Sequence, residues 1–599
     1  MTAKLRYCTT IVWSLVGCLS SGVLFAQDPT TTESIRFQQG WDRYRIEQQI
    51  QQVTSPVPGV HVTSPQLPPP DLDGKSQQKI FKLNHVLFEP MPKSLSPAAL
   101  EAVVARYIAM EKVSIYDLYC MVVEIDALFD ARHVLGRAGL PIQDVENGIV
   151  TVQIIEGRES ERSITVKAPP RLGLINGNPI PSKRLFGQHF VQHQFRFSGR
   201  SSFDIQKLEG EILRYNRTFR SQIAAEIEPG NDLGDCTLKL TRILPKPISG
   251  GYYIDNSGRE SSGRIRNGVY VNLSDILGAN DSVFLSYDET KGTSALYVQG
   301  EIPLGRFGAF FDVSYYYGEP RTISGPFAAL AINGVSEQYR PGFRQILVNK
   351  KDRRLDATLY YQNYDSQTFF DTSLNYAEKH NAGTLGFEYS QRKKKTALFA
   401  GISLVAGHAD VLALPVPDYV GNDFYLLKMN LMKVWYPNSQ WTFILRGNGS
   451  VALTDIPQSQ AFQIGGMSTV RGTPEALVND DSGYLLVAEA RRVIAGGCES
   501  KFCCTSVQPC NSAFNRGMGW KSHLKAEVFT FFDHGGVFDR NSSHREILSS
   551  IGVGATVHLG KHCLLTGGYG LPIFTAGASE IYQDQLQDGN AFFTARVSF

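Results

Sequence analysis

Four cysteines lie close together in the C-terminal third of the chain: Cys498, Cys503, Cys504 and Cys510. Thiols in such a cluster can form two disulfides or, as thiolates, hold a metal ion. The C-x4-C-C-x5-C spacing does not match a zinc pattern, and disulfides are the usual state of cysteines in an oxidising compartment. We therefore expect these four cysteines to form two disulfides and not to bind a metal ion.

The sequence contains no pattern typical of an enzyme. It has no P-loop, no dinucleotide-binding glycine cluster, no G-x-S-x-G elbow and no H-E-x-x-H zinc motif. Lys and Arg total 59 and Asp and Glu total 57, so the net charge of +2 gives no electrostatic argument for nucleic-acid binding. We expect no catalytic residues, no cofactor, no nucleic-acid partner and no enzymatic activity.

The N-terminus predicts export from the cytoplasm. Lys4 and Arg6 precede an apolar stretch that ends at Ala26, the pattern of a cleavable signal peptide over residues 1–26. A lipoprotein signal ending at Cys18 is the alternative, although the apolar stretch continues past that cysteine. Beyond residue 26 no run of 18 apolar residues follows, so we expect no transmembrane helix.

Two segments precede the first predicted domain. Residues 34–52 are rich in Gln, Arg and Glu with a thin apolar stripe, which favours a polar helix that needs a wet or polar surrounding. Residues 53–78 contain six prolines and predict an extended linker.

Residues 79–246 show mixed α/β character with an internal repeat. Strand and helix signals follow one another in the order β-α-α-β-β, once over residues 79–160 and again over residues 161–246. The sequence predicts two small α+β modules of similar size.

From residue 250 to residue 599 the sequence consists of alternating apolar and polar runs separated by Gly, Asn, Asp and Pro, such as Leu355–Tyr361 and Thr384–Tyr389. Divided into strands with their connections, this span predicts roughly 16 strands, an even number as in bacterial outer-membrane barrels. A soluble β-sandwich array or a β-helix would alternate as well. Aromatic clusters near strand ends, such as Tyr315–Tyr317, and the export signal favour an antiparallel transmembrane β-barrel.

The C-terminal strand supports the barrel. Phe593, Val597 and Phe599 lie at alternate positions that would face lipid, whereas Arg596 and Ser598 would face water. We expect these three apolar residues to act as the barrel's sorting signal.

The complete arrangement resembles the outer-membrane transporters of two-partner secretion, the haemolysin/haemagglutinin secretion-activation proteins of the Omp85 superfamily. The most specific match is Gly465–Gly472, which contains the Val470-Arg471-Gly472 motif of the superfamily's sixth extracellular loop. We expect this segment four strands before the C-terminus.

A second match, Phe531, Asp533 and Gly535, resembles the F-x-D-x-G motif of the family's thirteenth strand. The resemblance implies that Asp533 on the barrel wall pairs with Arg471 of the loop. Residue type alone would leave Arg471 solvated in a loop. Strict alternation places Phe529 and Phe531 on the same side of the strand as Asp533.

Two further segments carry the resemblance. Ile254–Gly258 resembles the first barrel hairpin, and Leu140–Gly157 resembles the end of a POTRA module, the polypeptide-transport-associated domain of this superfamily. The resemblance therefore implies two periplasmic POTRA modules and a plug helix, residues 34–52, inside the barrel.

The resemblance implies an outer-membrane location and a function in protein export. The modules would capture an unfolded exoprotein, of the adhesin, haemagglutinin or haemolysin type, and the barrel would pass it to the cell surface. Outer-membrane lipids and the barrel assembly machinery are the other expected partners. An Omp85-type assembly factor is the main alternative, and a diffusion porin is a weaker one because a porin has no use for periplasmic modules.

Overall fold

The computed structural model describes residues 61–62, 80–145, 147–167, 187–195, 204–232, 234–305, 308–350, 352–413, 420–495, 524–560, 562–577 and 588–599. The signal peptide and the plug helix predicted above lie outside these ranges, as do the four clustered cysteines. The chain divides into two compact units. One contains Pro56–Pro247 with Ser274–Asn280, and the other contains Ile248–Leu273 with Asp281–Phe599.

The first unit is α+β. Its elements in chain order are β1 (His61–Val62), β2 (Ile80–Phe81), β3 (His85–Glu89), α1 (Pro97–Ile108), β4 (Val113–Ser114), α2 (Ile115–Ala131), β5 (Gly136–Gly139), β6 (Ile149–Glu156), β7 (Arg158–Lys167), α3 (Gly187–Gln194), α4 (Ile205–Thr218), β8 (Gln222–Pro229) and β9 (Asp235–Ile243).

The first module packs α1 and α2 on a three-stranded sheet of order β3-β6-β5. Local signals start both helices. Ser96 caps α1 ahead of Pro97, and Ser114 forms a capping box with Asp117 at the start of α2. The apolar faces of the two helices meet the sheet in a core that includes Leu100, Met121, Ile125, Phe129, Val150 and Val152.

The second module has a four-stranded sheet of order β1-β8-β9-β7. Its first long strand begins at Arg158, so the module starts a few residues before the predicted boundary at 161. Two residues of the predicted linker, His61 and Val62, pair in parallel with Glu226 and Ile227 at the edge of this sheet. The second module shows the predicted β-α-α-β-β order, and the first shows it with the short strand β4 inserted between its two helices.

A buried ion pair lies in the same unit. Arg242 on β9 is 1% exposed and donates to Asp275 Oδ1 at 2.9 Å and to the Gly278 carbonyl at 3.0 Å. The Ser221 backbone N–H donates to Asn280 Oδ1 at 2.9 Å. Because these partners are fully buried, the segment Ser274–Asn280 is held firmly in this unit.

The second unit is a closed barrel of sixteen antiparallel strands, as predicted. The strands are β10 (Ile248–Asp255), β11 (Arg266–Ser274), β12 (Ser282–Glu289), β13 (Thr293–Leu304), β14 (Ala309–Pro320), β15 (Ile332–Asn349), β16 (Arg353–Phe370), β17 (Ser373–Lys393), β18 (Thr396–Ala413), β19 (Val420–Trp435), β20 (Trp441–Ala452), β23 (Ser482–Ala495), β24 (Leu524–Phe538), β25 (Arg545–Leu559), β26 (Cys563–Ala576) and β27 (Asn590–Ser598). Two short strands, β21 (Phe462–Ile464) and β22 (Val478–Asp480), lie outside the wall.

The barrel closes between its first and last strands, with register pairs from Gly251↔Ser598 to Asp255↔Thr594. Strands in the middle of the wall are longer than the sequence predicted. The predicted run Leu355–Tyr361 belongs to an 18-residue strand, and Thr384–Tyr389 belongs to a 21-residue strand. The additional residues are largely polar on both faces, so alternation did not mark them.

The two faces of the wall differ in chemistry. Facing inward are buried polar side chains that include Ser286, Asp288, Asp312, Ser336, Asp356, Ser366 and Thr368. Facing outward are exposed apolar side chains that include Val269, Tyr339, Phe343, Leu359, Leu445, Val553 and Ile573. Phe593, Val597 and Phe599 belong to the outward set, with 39%, 53% and 48% exposure. An apolar exterior around a polar interior is the pattern of a transmembrane barrel.

No helix in the described ranges is long and apolar enough to cross a membrane.

Candidate functional site: a loop anchored inside the barrel

Residues 453–481, here called loop 6, connect β20 to β23 and fold back against the inner wall. Strands β21 and β22 pair antiparallel within it, from Phe462↔Asp480 to Ile464↔Val478, and form a short hairpin that carries the Val470-Arg471-Gly472 tip. Five barrel strands follow the loop, rather than the four expected from the sequence.

An apolar cluster holds loop 6 against the barrel wall. Ile464, Val470, Leu477 and Val478 of the loop pack with buried side chains of β23, β24 and β25. Gly535 of the F-x-D-x-G motif lies beneath this contact, because a Cβ there would be only 3.3 Å from Val470 Cγ2 and Ile464 Cγ2. The small residue thus leaves room for the loop to approach the wall.

Gly472 allows the tip to touch the barrel backbone directly. Its φ is +91°, and a Cβ built there would lie 2.4 Å from the carbonyl oxygen of Gly570 on β26. Any other residue at this position would have a strained backbone conformation, and its Cβ would clash with the Gly570 carbonyl oxygen. The loop tip needs glycine at Gly472 to reach the opposite strand.

Arg471 makes the central polar contact of the loop. Its Nε and Nη2 donate to Asp533 Oδ2 and Oδ1 at 2.7 Å each, and its backbone N–H donates to Asp533 Oδ2 at 3.0 Å. Arg471 is 4% exposed and Asp533 is fully buried. The expectation from residue type, a solvated arginine, is therefore wrong, and the pairing implied by the resemblance is present.

Glu489 on β23 completes the charge balance. Arg471 Nη1 donates to Glu489 Oε2 at 2.5 Å, and Arg491 Nε donates to the other oxygen of the same carboxylate. Two arginines and two carboxylates thus form one neutral network, which is what a buried charge cluster requires. Sequence analysis missed Glu489, although alternation places it on the same inward face as Val487.

Aromatic rings pack against the Arg471 guanidinium. The Arg471 guanidinium carbon lies 3.7 Å from the Phe531 ring centroid, a cation–π contact. Phe529, Phe531 and Phe592 form a buried cluster with Met467 of the loop packed against it. The two phenylalanines that alternation placed on the side of Asp533 therefore pack against the inserted loop.

A second polar anchor holds the beginning of loop 6. The Ser459 backbone N–H donates to Glu378 Oε2 at 3.2 Å, and its hydroxyl donates to the other oxygen of that carboxylate. Lys428 Nζ donates to Gln460 Oε1 at 2.9 Å, while His380 Nδ1 lies 3.0 Å from Glu378 Oε1. Glu378 and His380 are buried, and nothing in the sequence pattern marked them.

Asp480, next to the last residue of loop 6, makes an ionic contact with His544 on the connection between β24 and β25. His544 Nδ1 lies 3.1 Å from Asp480 Oδ2, and its Nε2 lies 3.2 Å from Glu546 Oε1. The hydrogen bond with Asp480 raises the pKa of His544 above its ordinary value. Burial and the neighbouring charges of Asp480 and Asp539 raise the pKa of Asp481 to about 6.

The other predicted residues fall into two groups. Cys498, Cys503, Cys504 and Cys510 are outside the described residues, so their disulfides remain a prediction. Among the described residues, Cys120, Cys236 and Cys563 are free thiols, and no group of three or more His, Cys, Asp or Glu side chains could hold a metal ion.

Comparisons with known proteins concern the family and the fold of the chain. Residues 234–489 match the family model described as haemolysin secretion/activation protein ShlB/FhaC/HecB. The outer membrane transporter CdiB of Dickeya dadantii is 24% identical over 32% of this chain and 31% of its own length, so the chain spans about a third of that relative. The heme/hemopexin transporter protein HuxB of Haemophilus influenzae is 22% identical over 66% of this chain and 69% of its own length.

Among solved structures, CdiB from Escherichia coli superimposes with a TM-score of 0.61 at 15% identity, covering 95% of this chain and 99% of its own. At that identity the likeness concerns the fold. The chain is therefore similar to the haemolysin secretion/activation proteins, whose family model matches residues 234–489, and its closed sixteen-stranded barrel with an inserted loop is the fold of an outer-membrane protein.

Proposed function

We propose that this protein exports an unfolded exoprotein of the adhesin, haemagglutinin or haemolysin type across the outer membrane. Relatives such as CdiB and HuxB are described as transporters, which supports export as the activity. The single observation that carries the proposal is the anchoring of loop 6 through Arg471, Asp533 and Glu489 inside a barrel with a polar inner face.

The anchored loop gives the barrel a defined interior. A loop of this length would otherwise move freely in the lumen, since it enters only through its two ends at β20 and β23. The Arg471 network, the apolar cluster and the Ser459 anchor fix it at three places. An extended client would then pass along a constant wall of polar side chains, to which a polypeptide can form exchangeable hydrogen bonds.

We propose that the two modules capture the client. A strand edge can pair with an extended polypeptide through main-chain hydrogen bonds, a mode that is largely indifferent to client sequence. In the second module the β8 edge is already covered by His61–Val62, which leaves β7 as the outer strand on the other side. We therefore propose the β7 edge, together with the outer strands β3 and β5 of the first module, as the capture surface.

The polar helix of residues 34–52 is proposed to occupy the lumen at rest, and residues 53–78 would allow it to leave while tethered. Folding of the client outside the cell would bias transport outward without any need for ATP. Deleting residues 34–52 should raise the single-channel conductance of the purified protein in planar bilayers. An unchanged conductance would contradict the plug role.

The direct test compares culture supernatants of the native bacterium with and without this gene by mass spectrometry. Loss of one large secreted protein, or of very few, is the expected result and would identify the client. A broad fall in outer-membrane proteins with no missing secreted protein would contradict export and support an assembly role instead.

A further inference from the structure

Lys433 and Arg492 are two of the cations on the outward face of the barrel close to one of its ends. We call the inner end the one at which β10 begins and β27 finishes. Lys433 lies two residues before the inner end of β19, and Arg492 lies three residues before the inner end of β23. Lys433 is opposite Leu445, which is 50% exposed, and Arg492 is opposite Val528, which is 38% exposed. Both cations therefore belong to the lipid-facing side.

These two cations differ from the arginines of the inner face. Inward-facing Arg344, Arg354 and Arg491 each pair with a carboxylate. Within the ranges described by the structure, neither Lys433 nor Arg492 has an acidic partner. An unpaired cation is costly in hydrocarbon but favourable at headgroup level, where its long side chain can reach phosphate.

Three aromatic rings lie beside the cations on the same face. The Trp435 and Trp441 rings both stack on Phe443, with centroids 5.1 Å and 5.8 Å from it. The Arg492 guanidinium carbon lies 5.3 Å from the Trp441 ring centroid. Tryptophan at the end of a membrane strand marks the interface between acyl chains and headgroups. The rings therefore place Arg492 at the depth of lipid phosphate groups.

A basic turn adjoins these rings. Lys393, the last residue of β17, and Lys394 and Lys395, which connect β17 to β18, are exposed. The Tyr436 backbone N–H donates to the Lys395 carbonyl at 3.0 Å, and the Tyr436 hydroxyl donates to the Lys393 carbonyl at 3.2 Å. The turn is thus fixed next to Trp435, and neither it nor the connection 436–440 contains an acidic residue. The local field on this side of the rings is positive.

We propose that this surface, named the basic girdle and formed by Lys433, Trp435, Trp441, Phe443 and Arg492 with the adjoining lysine turn, binds the headgroup of an anionic phospholipid of the inner leaflet. Arg492 and Lys433 would donate to phosphate oxygens, and the rings would cover the glycerol and upper acyl chain. The lysine turn would repel the ammonium group of a zwitterionic lipid, so the site favours a lipid with net negative charge.

The test uses the full-length purified protein, stripped of lipid, with dioleoylphosphatidylglycerol or dioleoylphosphatidylethanolamine added, and native mass spectrometry to measure binding. The double variant Lys433→Gln/Arg492→Gln removes the two cations. Its matched control, Arg264→Gln/Lys291→Gln, removes the same charge from exposed loops at the other end of the barrel. Heat-modifiable electrophoretic mobility checks that every variant holds a folded barrel.

We expect the wild type to prefer phosphatidylglycerol, and the double variant to bind it about 25-fold more weakly, since each basic residue contributes about fivefold near an anionic lipid. The control should bind as the wild type does. Equal binding of the two lipids by the wild type, equal loss in the control, or unchanged binding in the double variant would overturn the proposal. The last result, if accompanied by slower membrane insertion, would assign the surface to a protein partner.

Discussion

Arg471 and Asp533 are joined by three hydrogen bonds, two from the guanidinium and one from the backbone N–H of the arginine. The bidentate geometry fixes the orientation of the side chain, and the backbone contact fixes the position of the chain at the loop tip. Because desolvation of two buried charges offsets much of their attraction, the pair contributes more to where loop 6 lies than to how stable the barrel is. Its effect should therefore appear in transport and channel measurements.

Arg471→Lys should release the loop even though the charge is kept. A lysine ammonium cannot bind both oxygens of Asp533 and also reach Glu489, so at least two charge-assisted hydrogen bonds are lost. The expected cost is about 3 kcal/mol, or roughly a hundredfold in the equilibrium between seated and released loop. Export of the client, measured by immunoblot of the culture medium, should fall close to that of the gene deletion.

The control for this variant is Arg264→Lys, which changes an exposed arginine 3.9 Å from Glu260. It should export at the wild-type level. Wild-type export by Arg471→Lys, with equal amounts of both proteins in the outer membrane, would show that the bidentate contact is not needed for transport.

Glu489→Gln tests the part of the network that was not expected from sequence. The amide keeps an oxygen acceptor but loses the charge that balances Arg471 and Arg491. We expect the seated loop to be weakened by about 1.5 kcal/mol, roughly tenfold, which is less than for Arg471→Lys. Single-channel recordings should show more frequent conductance steps. Glu388→Gln, an exposed glutamate on β17, should leave the recordings unchanged.

The barrel strands could be predicted from sequence because the alternation that marks a strand involves only residues close together in the chain. Period-two alternation placed Phe529, Phe531 and Asp533 on one face, and the structure has all three buried on that face. Alternation also separated Phe593 and Val597 from the inward residues of the last strand. Such a pattern depends only on the pleat of a strand and on the difference between lipid and water.

The loop contacts could not be predicted from local pattern, because they join residues far apart in the chain. Arg471 and Asp533 are 62 positions apart, and Ser459 and Glu378 are 81 apart. Only the family resemblance suggested the first contact, and nothing suggested the second. The strand at His61–Val62 was missed for a similar reason, since its hydrogen-bond partners on β8 are supplied by the second module and not by its own proline-rich neighbourhood.

Gly472→Ala should displace the loop tip for a steric reason. The added Cβ would lie 2.4 Å from the Gly570 carbonyl oxygen, and the backbone already has φ of +91°. Gly325→Ala is a matched control, because its φ is +86° and no atom lies within 4 Å of its Cβ position. Both variants carry the backbone strain of about 1 kcal/mol, but only Gly472→Ala adds the clash. Export should fall in Gly472→Ala alone; an equal fall in both would mean that strain, not contact, is decisive.

The attachment of loop 6 near Asp480 should weaken as pH rises. The pKa of His544 is raised by its hydrogen bond with Asp480, so its contribution is fully present below the ordinary histidine pKa and is lost as pH rises through the raised value. The pKa of Asp481 is raised to about 6 by burial and by Asp480 and Asp539, so ionisation of this carboxyl opposes the folded loop in the same direction. We expect steady conductance at about pH 5 and frequent loop-dependent steps at about pH 8.5. His544→Gln should reduce the difference between the two recordings, whereas His85→Gln in the first module should keep it. Identical recordings at both pH values would show that these two groups do not hold the loop.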